Sequence, residues 1–324
     1  VRLTREDDLV DWLRRAAPGG DRLGDDAAFL PAAGELAISV DQQIEGIHFP
    51  AGLDPAWLAR RLHEVCLSDL AACGARARWA LLALAAPPDW HHRRFLRALG
   101  DACRRRRVEL VGGDTASAER AGLALTVLGE PVGARFVERS TARPGDRLWL
   151  GGTLGAARVG RHLVGLGARP EGRKLRLPGD FRRPERVARA ARRAVRAHLA
   201  PRAQLELGEW LGRRRLAAAI DVSDGFALDL ARLCRASGVG AVVEPEELPR
   251  DPAVTLLADR CDLEPLDAAL SGGEDYVLLF ALPRSARPPA VLECRAVGRC
   301  TEEGELLLAG DRGELHPAGW SHLG

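Results

Sequence analysis

The chain reads as an α/β or α+β protein of two domains. Three observations predict this. Its 324 residues suit about two domains of ordinary size. Short apolar runs recur along the whole chain: Leu36–Val40, Ala80–Ala85, Leu123–Leu128, Leu148–Leu150, Ala217–Ile220, Ala241–Val243 and Val277–Leu282. Between them lie segments with helical spacing, and strands alternating with helices mean a mixed fold.

The helical segments carry local signals. Asp54-Pro55 is a cap followed by proline at the first helical position, and Trp57, Leu58, Leu62 and Val65 fall on nearby faces behind it. Trp90–Arg107 and Pro184–Leu199 are amphipathic. The run Arg104-Arg105-Arg106-Arg107 is expected to close a helix, where cations meet the negative end of the dipole. The polar, turn-rich stretch Arg139–Asp146 predicts a domain boundary, giving domains of 1–140 and 141–324. Gly165–Gly179 reads as a loop.

Composition excludes several classes. A net charge of +2 gives no electrostatic footprint for nucleic acid. No window approaches the apolar length of a membrane span. The opening residues Val1–Asp8 hold no apolar signal core and carry acids early, which predicts a cytoplasmic protein. The 7 cysteines include no C-x-x-C pair, so they are expected as small buried hydrophobes rather than disulfides or zinc ligands.

The chemistry lies in the aspartates. Gly24-Asp25-Asp26 sits in a turn, Asp41 ends a strand, and Ser68-Asp69 follows a helical run. Asp114 follows Leu110-Val111-Gly112-Gly113, Asp221 and Asp224 follow Ala217–Ile220, and Glu274-Asp275 follows Ser271-Gly272-Gly273. Carboxylates at strand ends beside glycines are the parts of a magnesium–nucleotide site, because magnesium takes oxygen ligands and bridges phosphate oxygens. Any one of these aspartates also reads as a helix cap or Asx turn. There is no P-loop: the sole lysine is Lys174, in Gly172-Arg173-Lys174-Leu175. No protein-kinase or dinucleotide signature is present, and Gly151-Gly152-Thr153-Leu154-Gly155 is only a flexible turn.

The ordered set of segments resembles thiamine-monophosphate kinases, of the superfamily that includes aminoimidazole ribonucleotide synthetase. The resemblance rests on Leu23–Ala28, Ile38–Asp41, Glu45–Phe49, Leu67–Ala75, Gly112–Thr115, Arg139-Ser140 with Pro144–Asp146, Ile220–Gly225, Ser271–Tyr276 and Gly319–His322. It implies a two-domain aminoimidazole ribonucleotide synthetase-like fold, dimerising through the first domain, with the second completing the site. It implies that Asp26, Ser39, Val40, Asp41, Asp69, Asp114, Asp221 and Asp224 surround magnesium ions, with Asp41, Asp114 and Asp224 central to catalysis. Gly113, Asp114, Arg139 and Ser223 would contact ATP, and His48, Glu274 and Trp320 would lie near thiamine monophosphate.

The chain departs from the family pattern at four places. Val40 replaces a threonine, Cys66 an asparagine, Gln42 and Gln43 more usual residues, and Pro201-Arg202-Ala203-Gln204 degrades a Pro-x-Pro-Arg element. At Val40 a water fills the missing ligand position, or the backbone carbonyl is the ligand. The departures leave open another ATP-using enzyme of the superfamily or a catalytically silent homologue. A selenophosphate synthetase would need a reactive N-terminal cysteine, and a hydrogenase-type maturation protein a C-terminal cysteine tail; neither is in this sequence.

Overall fold

Strand periodicity organises the first unit around a four-stranded sheet. The computed structural model describes Trp12, residues 15–18 and residues 34–320 apart from 173, 215, 216, 303, 311 and 312. Asp26 and His322 lie outside the described residues. The strands are β1 (Ala37–Ile44), β2 (Ala75–Ala86), β3 (Glu109–Ser117) and β4 (Gly122–Pro131), in the order β1-β4-β2-β3. β4 runs antiparallel to both β1 and β2, whereas β3 is parallel to β2. That parallel step needs a crossover, which helix α2 (His92–Arg106) supplies after α1 (Pro55–Ala72).

Alternation along the strands separates two faces. Leu123, Leu125 and Val127 are fully buried on the face that α1 covers, where Cys66 donates to the Leu125 carbonyl at 3.3 Å. On the opposite face Ile38 and Val40 remain 63% and 61% exposed. The local signals hold. Asp54 Oδ1 accepts from the Ala56 N–H at 2.9 Å, and Arg94 grips the same carboxylate through two bonds of 2.6 Å. The arginine run closes α2, with Arg107 in the left-handed region and Arg106 paired to Glu64 at 2.7 Å.

The second unit takes Ala71–Gly74 and the chain from Val132 onward, so the chain changes unit before the expected boundary at 140. Its six-stranded sheet has the order β12-β9-β11-β5-β10-β8, from β5 (Arg147–Gly151), β8 (Ala218–Asp221), β9 (Gly240–Val243), β10 (Leu278–Leu282), β11 (Cys294–Thr301) and β12 (Leu306–Leu308). Both faces are covered. Leu148, Leu150, Ile220 and Leu279 join Phe226, Leu230 and Leu233 of helix α6 (Phe226–Ser237) in one core. Trp149, Leu278 and Phe280 join Leu207 and Leu211 of α5 (Leu205–Gly212) in the other. Burial on both faces explains why Val277–Leu282 is an unbroken apolar run. Helices α3 (Ala156–Gly165) and α4 (Glu185–Leu199) pack against each other. The expected loop at 165–179 contains a small hairpin of β6 (Arg169–Glu171) and β7 (Lys174–Arg176). Helices α7 (Pro252–Leu257) and α8 (Pro265–Ser271) complete the order.

All seven cysteines are free, and five are buried, as expected of small hydrophobes. Among the described residues no helix is long and apolar enough to cross a membrane.

Candidate active site

In the first unit Ser39 and Asp41 point from β1 toward the covered face, because they are two residues apart. There they meet Asp69 from α1, whose carboxylate accepts from the Ser39 hydroxyl. Burial pushes Asp41 up to about 7 from its ordinary 3.8, and the nearby Asp69 carboxylate raises it further. Arg61, 1% exposed, pulls the other way while donating from Nε to Gln43 Oε1 at 3.1 Å. Gln43 is therefore a partner for a buried arginine. The Cys66 thiol also faces Asp41, and burial pushes it well up, so it is an unreactive packing group rather than a nucleophile.

Val40 and Asp114 stand elsewhere. The Val40 side chain lies on the open face, opposite Thr126 of β4, turned away from Ser39 and Asp41. It therefore adds nothing to the Asp41 side of the strand. The cross-strand row Asp41–Leu125–Leu82–Gly113 spans the sheet from one edge strand to the other. Three strand spacings of about 4.8 Å separate its ends by roughly 14 Å. Asp114 borders a pocket of about 150 Å³ with Gln42, Ala83 and Ala124. Gly113 fits here because a Cβ would sit 2.0 Å from the Leu82 carbonyl oxygen.

His48 closes the turn that follows β1. Its Nδ1 accepts the Ile44 N–H at 3.0 Å, and its own N–H donates to the Ile44 carbonyl at 2.9 Å. In the neutral ring the proton is then on Nε2, which presents a donor and not a base. Glu45 anchors the same turn by accepting from the Ala121 N–H at 2.9 Å.

In the second unit the residues after β8 form a braced loop. Asp221 is 3% exposed at the strand end. The Val222 carbonyl accepts from Tyr276 N–H at 2.9 Å, that of Ser223 from Glu274 N–H at 2.7 Å, and that of Asp224 from Trp320 N–H at 2.9 Å. Glu274 and Tyr276 both adopt positive φ, of 61° and 50°. Such conformations cost on the order of 1–3 kcal/mol each and persist only where neighbours enforce them. His198 Nδ1 lies 2.8 Å from Glu274 Oε2, with the histidine 3% exposed. Trp320 is partly exposed, with the Arg161 guanidinium 5.4 Å from its ring centroid.

Three further residues singled out in the sequence sit as follows. Asp275 accepts from the Gly155 N–H at 2.8 Å at the start of α3, and burial pushes it up to about 7. Arg139 is exposed in a short 3₁₀ turn, whose carbonyl accepts from the Ser237 hydroxyl at 2.6 Å. Gln204 accepts from the Leu278 N–H at 2.8 Å and so fixes the start of β10.

Sequence reasoning missed His198, Arg61, Asp229 and Arg232. Asp229 had a usable signal: a carboxylate on the apolar face of a helix, between Phe226, Leu230 and Leu233, must be paired to be buried.

The chain is similar to known proteins of one family. A family profile described as "AIR synthase related protein, N-terminal domain" matches residues 24–131. The chain is 31% identical to the thiamine-monophosphate kinase of Aquifex aeolicus, over 97% of each chain. It is 36% identical to that of Synechococcus elongatus, over 96% of this chain and 93% of the relative. The structure of AaThiL complexed with AMPPCP and TMP matches with a TM-score of 0.78 at 28% identity, covering 99% of both chains. Hydrogenase maturation protein HypE in complex with ATP matches at 0.74 with 19% identity, a likeness of fold alone. The fold is the aminoimidazole ribonucleotide synthetase-like one that the sequence predicts. The chain belongs to the thiamine-monophosphate kinase family.

Proposed function

We propose that this protein transfers the terminal phosphoryl group of ATP to thiamine monophosphate, giving thiamine diphosphate and ADP by direct in-line displacement assisted by magnesium. The observation that carries this reading is the Asp41–Asp69 pair: two carboxylates and a Ser39 hydroxyl together on one buried face, with Asp41 pushed up to about 7. Such a donor set fits magnesium, because it is all oxygen and its repulsion is relieved by a dication. Among the described residues no three His, Cys, Asp or Glu side chains form a cage. Magnesium ordinarily takes one or two carboxylates and completes its octahedron with water and phosphate oxygens. When bound, it would supply the positive charge that lets two anionic phosphates approach.

The proposed holders are Asp26, Ser39, Asp41, Asp69, Asp114, Asp221 and Asp224, with the carbonyl of Val40. Gly113, Arg139 and Ser223 would position ATP, and His48, Glu274 and Trp320 the substrate. His48 suits this role as a donor from Nε2. A phosphate monoester has a second pKa of about 6, so the acceptor is already a nucleophile and needs no general base. Positioning and electrostatics then carry the rate.

We also propose that the working form is a homodimer. Among the described residues β1 pairs only with β4, and β3 only with β2, so both are edge strands. Docking β1 of one copy beside β3 of a second closes two four-stranded sheets into one barrel. This covers Ile38 and Val40, which are exposed on the open face of the single copy.

A coupled ADP-release assay tests the reaction. Thiamine monophosphate should support magnesium-dependent turnover well above a panel of other phosphorylated small molecules. Higher turnover with another acceptor, or none at saturating magnesium, would contradict it.

A further inference from the structure

The geometry points to Asp229 as the positioning residue that moulds the loop at Ser223 and Asp224, with Arg232 tying it to the Asp224 carboxylate. This rests on the proposed metal and nucleotide roles of those two residues.

Asp229 lies in the first turn of α6 and is 1% exposed. Its Oδ2 accepts three consecutive backbone N–H groups, from Ser223 at 3.0 Å, Asp224 at 3.0 Å and Gly225 at 3.1 Å. Its Oδ1 accepts from Arg232 Nη1 at 2.7 Å, and the same nitrogen reaches Asp224 Oδ2 at 2.6 Å. Gly225 makes the turn possible, at φ 133° with no room to spare beside Ser271.

Two consequences follow. First, the loop's N–H groups are spent on Asp229, so they do not form a backbone cradle for phosphate of the kind glycine-rich loops provide. Contact with phosphate or cation must come from the Ser223 and Asp224 side chains. Secondly, the loop's carbonyls hold Glu274, Tyr276 and Trp320. One buried carboxylate therefore sets the nucleotide side and the substrate side together. Arg232 occupies one oxygen of Asp224 and leaves the other to a ligand, the usual arrangement around a metal-binding carboxylate.

The test uses Asp229→Asn, which keeps the shape. If its amide oxygen accepts the three N–H groups, its NH2 meets the Arg232 donors; the flipped rotamer meets the loop N–H groups instead. In the ligand-free protein, hydrogen-exchange protection of residues 222–225 should fall about tenfold or more. The KM values for ATP and for thiamine monophosphate should both rise about 10- to 100-fold, the range for loss of an outer partner of a metal ligand. In Asp229→Asn with Arg232→Gln, the glutamine oxygen can accept from the new NH2, and protection should recover to within about threefold of the parent. Arg232→Gln alone should keep the protection and raise the half-saturating magnesium concentration about tenfold or more, which preserves a test if Asp229→Asn does not fold.

Unchanged protection in Asp229→Asn, no recovery in the double variant, or an unchanged magnesium requirement in Arg232→Gln overturns the positioning role. Lost protection in a protein whose parent never phosphorylates thiamine monophosphate overturns the functional reading instead, since exchange is measured without ligand.

Discussion

The two acidic clusters differ in how their charge is balanced. Asp41 and Asp69 face each other on a buried surface, and although Cys66 and Arg61 pull the other way, Asp41 is driven up to about 7. Asp224 and Asp229 also lie close, yet Arg232 bridges them at 2.6 and 2.7 Å and three backbone N–H groups converge on Asp229. Glu64 is a third case: burial alone would raise it, but two hydrogen bonds from Arg106, at 2.9 and 2.7 Å, with His63 nearby, hold it down at about 2. Paired carboxylates inside one protein are thus of two kinds. One is completed by the chain itself. The other keeps a strongly raised carboxylate, whose repulsion the proposed magnesium would relieve.

Neutralising one charge should act in opposite directions at the two places. Asp41→Asn removes a proposed ligand and should cut turnover roughly 10²–10⁴-fold, the scale of several kcal/mol of lost metal-ion stabilisation. The metal-free fold should gain stability, because a repulsion has gone. Asp229→Asn should instead cost about 1–3 kcal/mol of stability, since it disturbs the hydrogen bonds of a buried carboxylate. Steady-state kinetics and thermal melts of the two variants separate these signs; equal losses of stability in both would erase the distinction.

The next effect concerns the edge strands. Asp41→Asn and Asp114→Asn should each be nearly inactive alone. If one site draws Asp41 and Asp114 from different copies, unfolding and refolding the two variants together returns about a quarter of the parental activity, because half of the dimers are mixed and each mixed dimer has one intact site of two. No recovery would mean that each copy completes its own site.

The smallest effect is expected at Val40. Its side chain is on the face away from Asp41, so Val40→Thr should leave the half-saturating magnesium concentration within about twofold of the parent. A clear fall would mean that a hydroxyl there reaches the cation after all.

How much was legible followed from how local each cause is. The apolar runs that became β1, β2, β4, β5, β8, β9 and β10 all announce themselves by composition, and the Asp54-Pro55 start needs only its neighbours. β3 carries no long apolar run, because Gly112-Gly113 and Asp114 follow only Leu110-Val111; here Gly113 serves a close approach to Leu82 within a parallel pair. β11 was hidden because arginines and a glycine interrupt it, and the sheet absorbs them with a bulge between Ala296 and Gly298. The aspartate motifs were visible as a set, but not their distribution. That Asp41 and Asp114 stand on opposite edges follows from strand order, which no single segment carries. The bracing of the 222–225 loop was out of reach for the same reason: its partners are backbone atoms of Glu274, Tyr276 and Trp320, distant in sequence.

The proposed magnesium binds at the Asp41–Asp69 pair. In the metal-free fold Asp41 holds its proton up to about pH 7, against 3.8 when unfolded. The folded state therefore binds more protons across that interval, and stability should fall as pH rises from about 4 to 7. The most direct measurement is the melting temperature of the parent and of Asp41→Asn at pH 8, with and without magnesium. The parent should melt lower than the variant without metal and gain several degrees when magnesium is added, while the variant gains little. Equal gains in both, or no gain in the parent, would contradict the account.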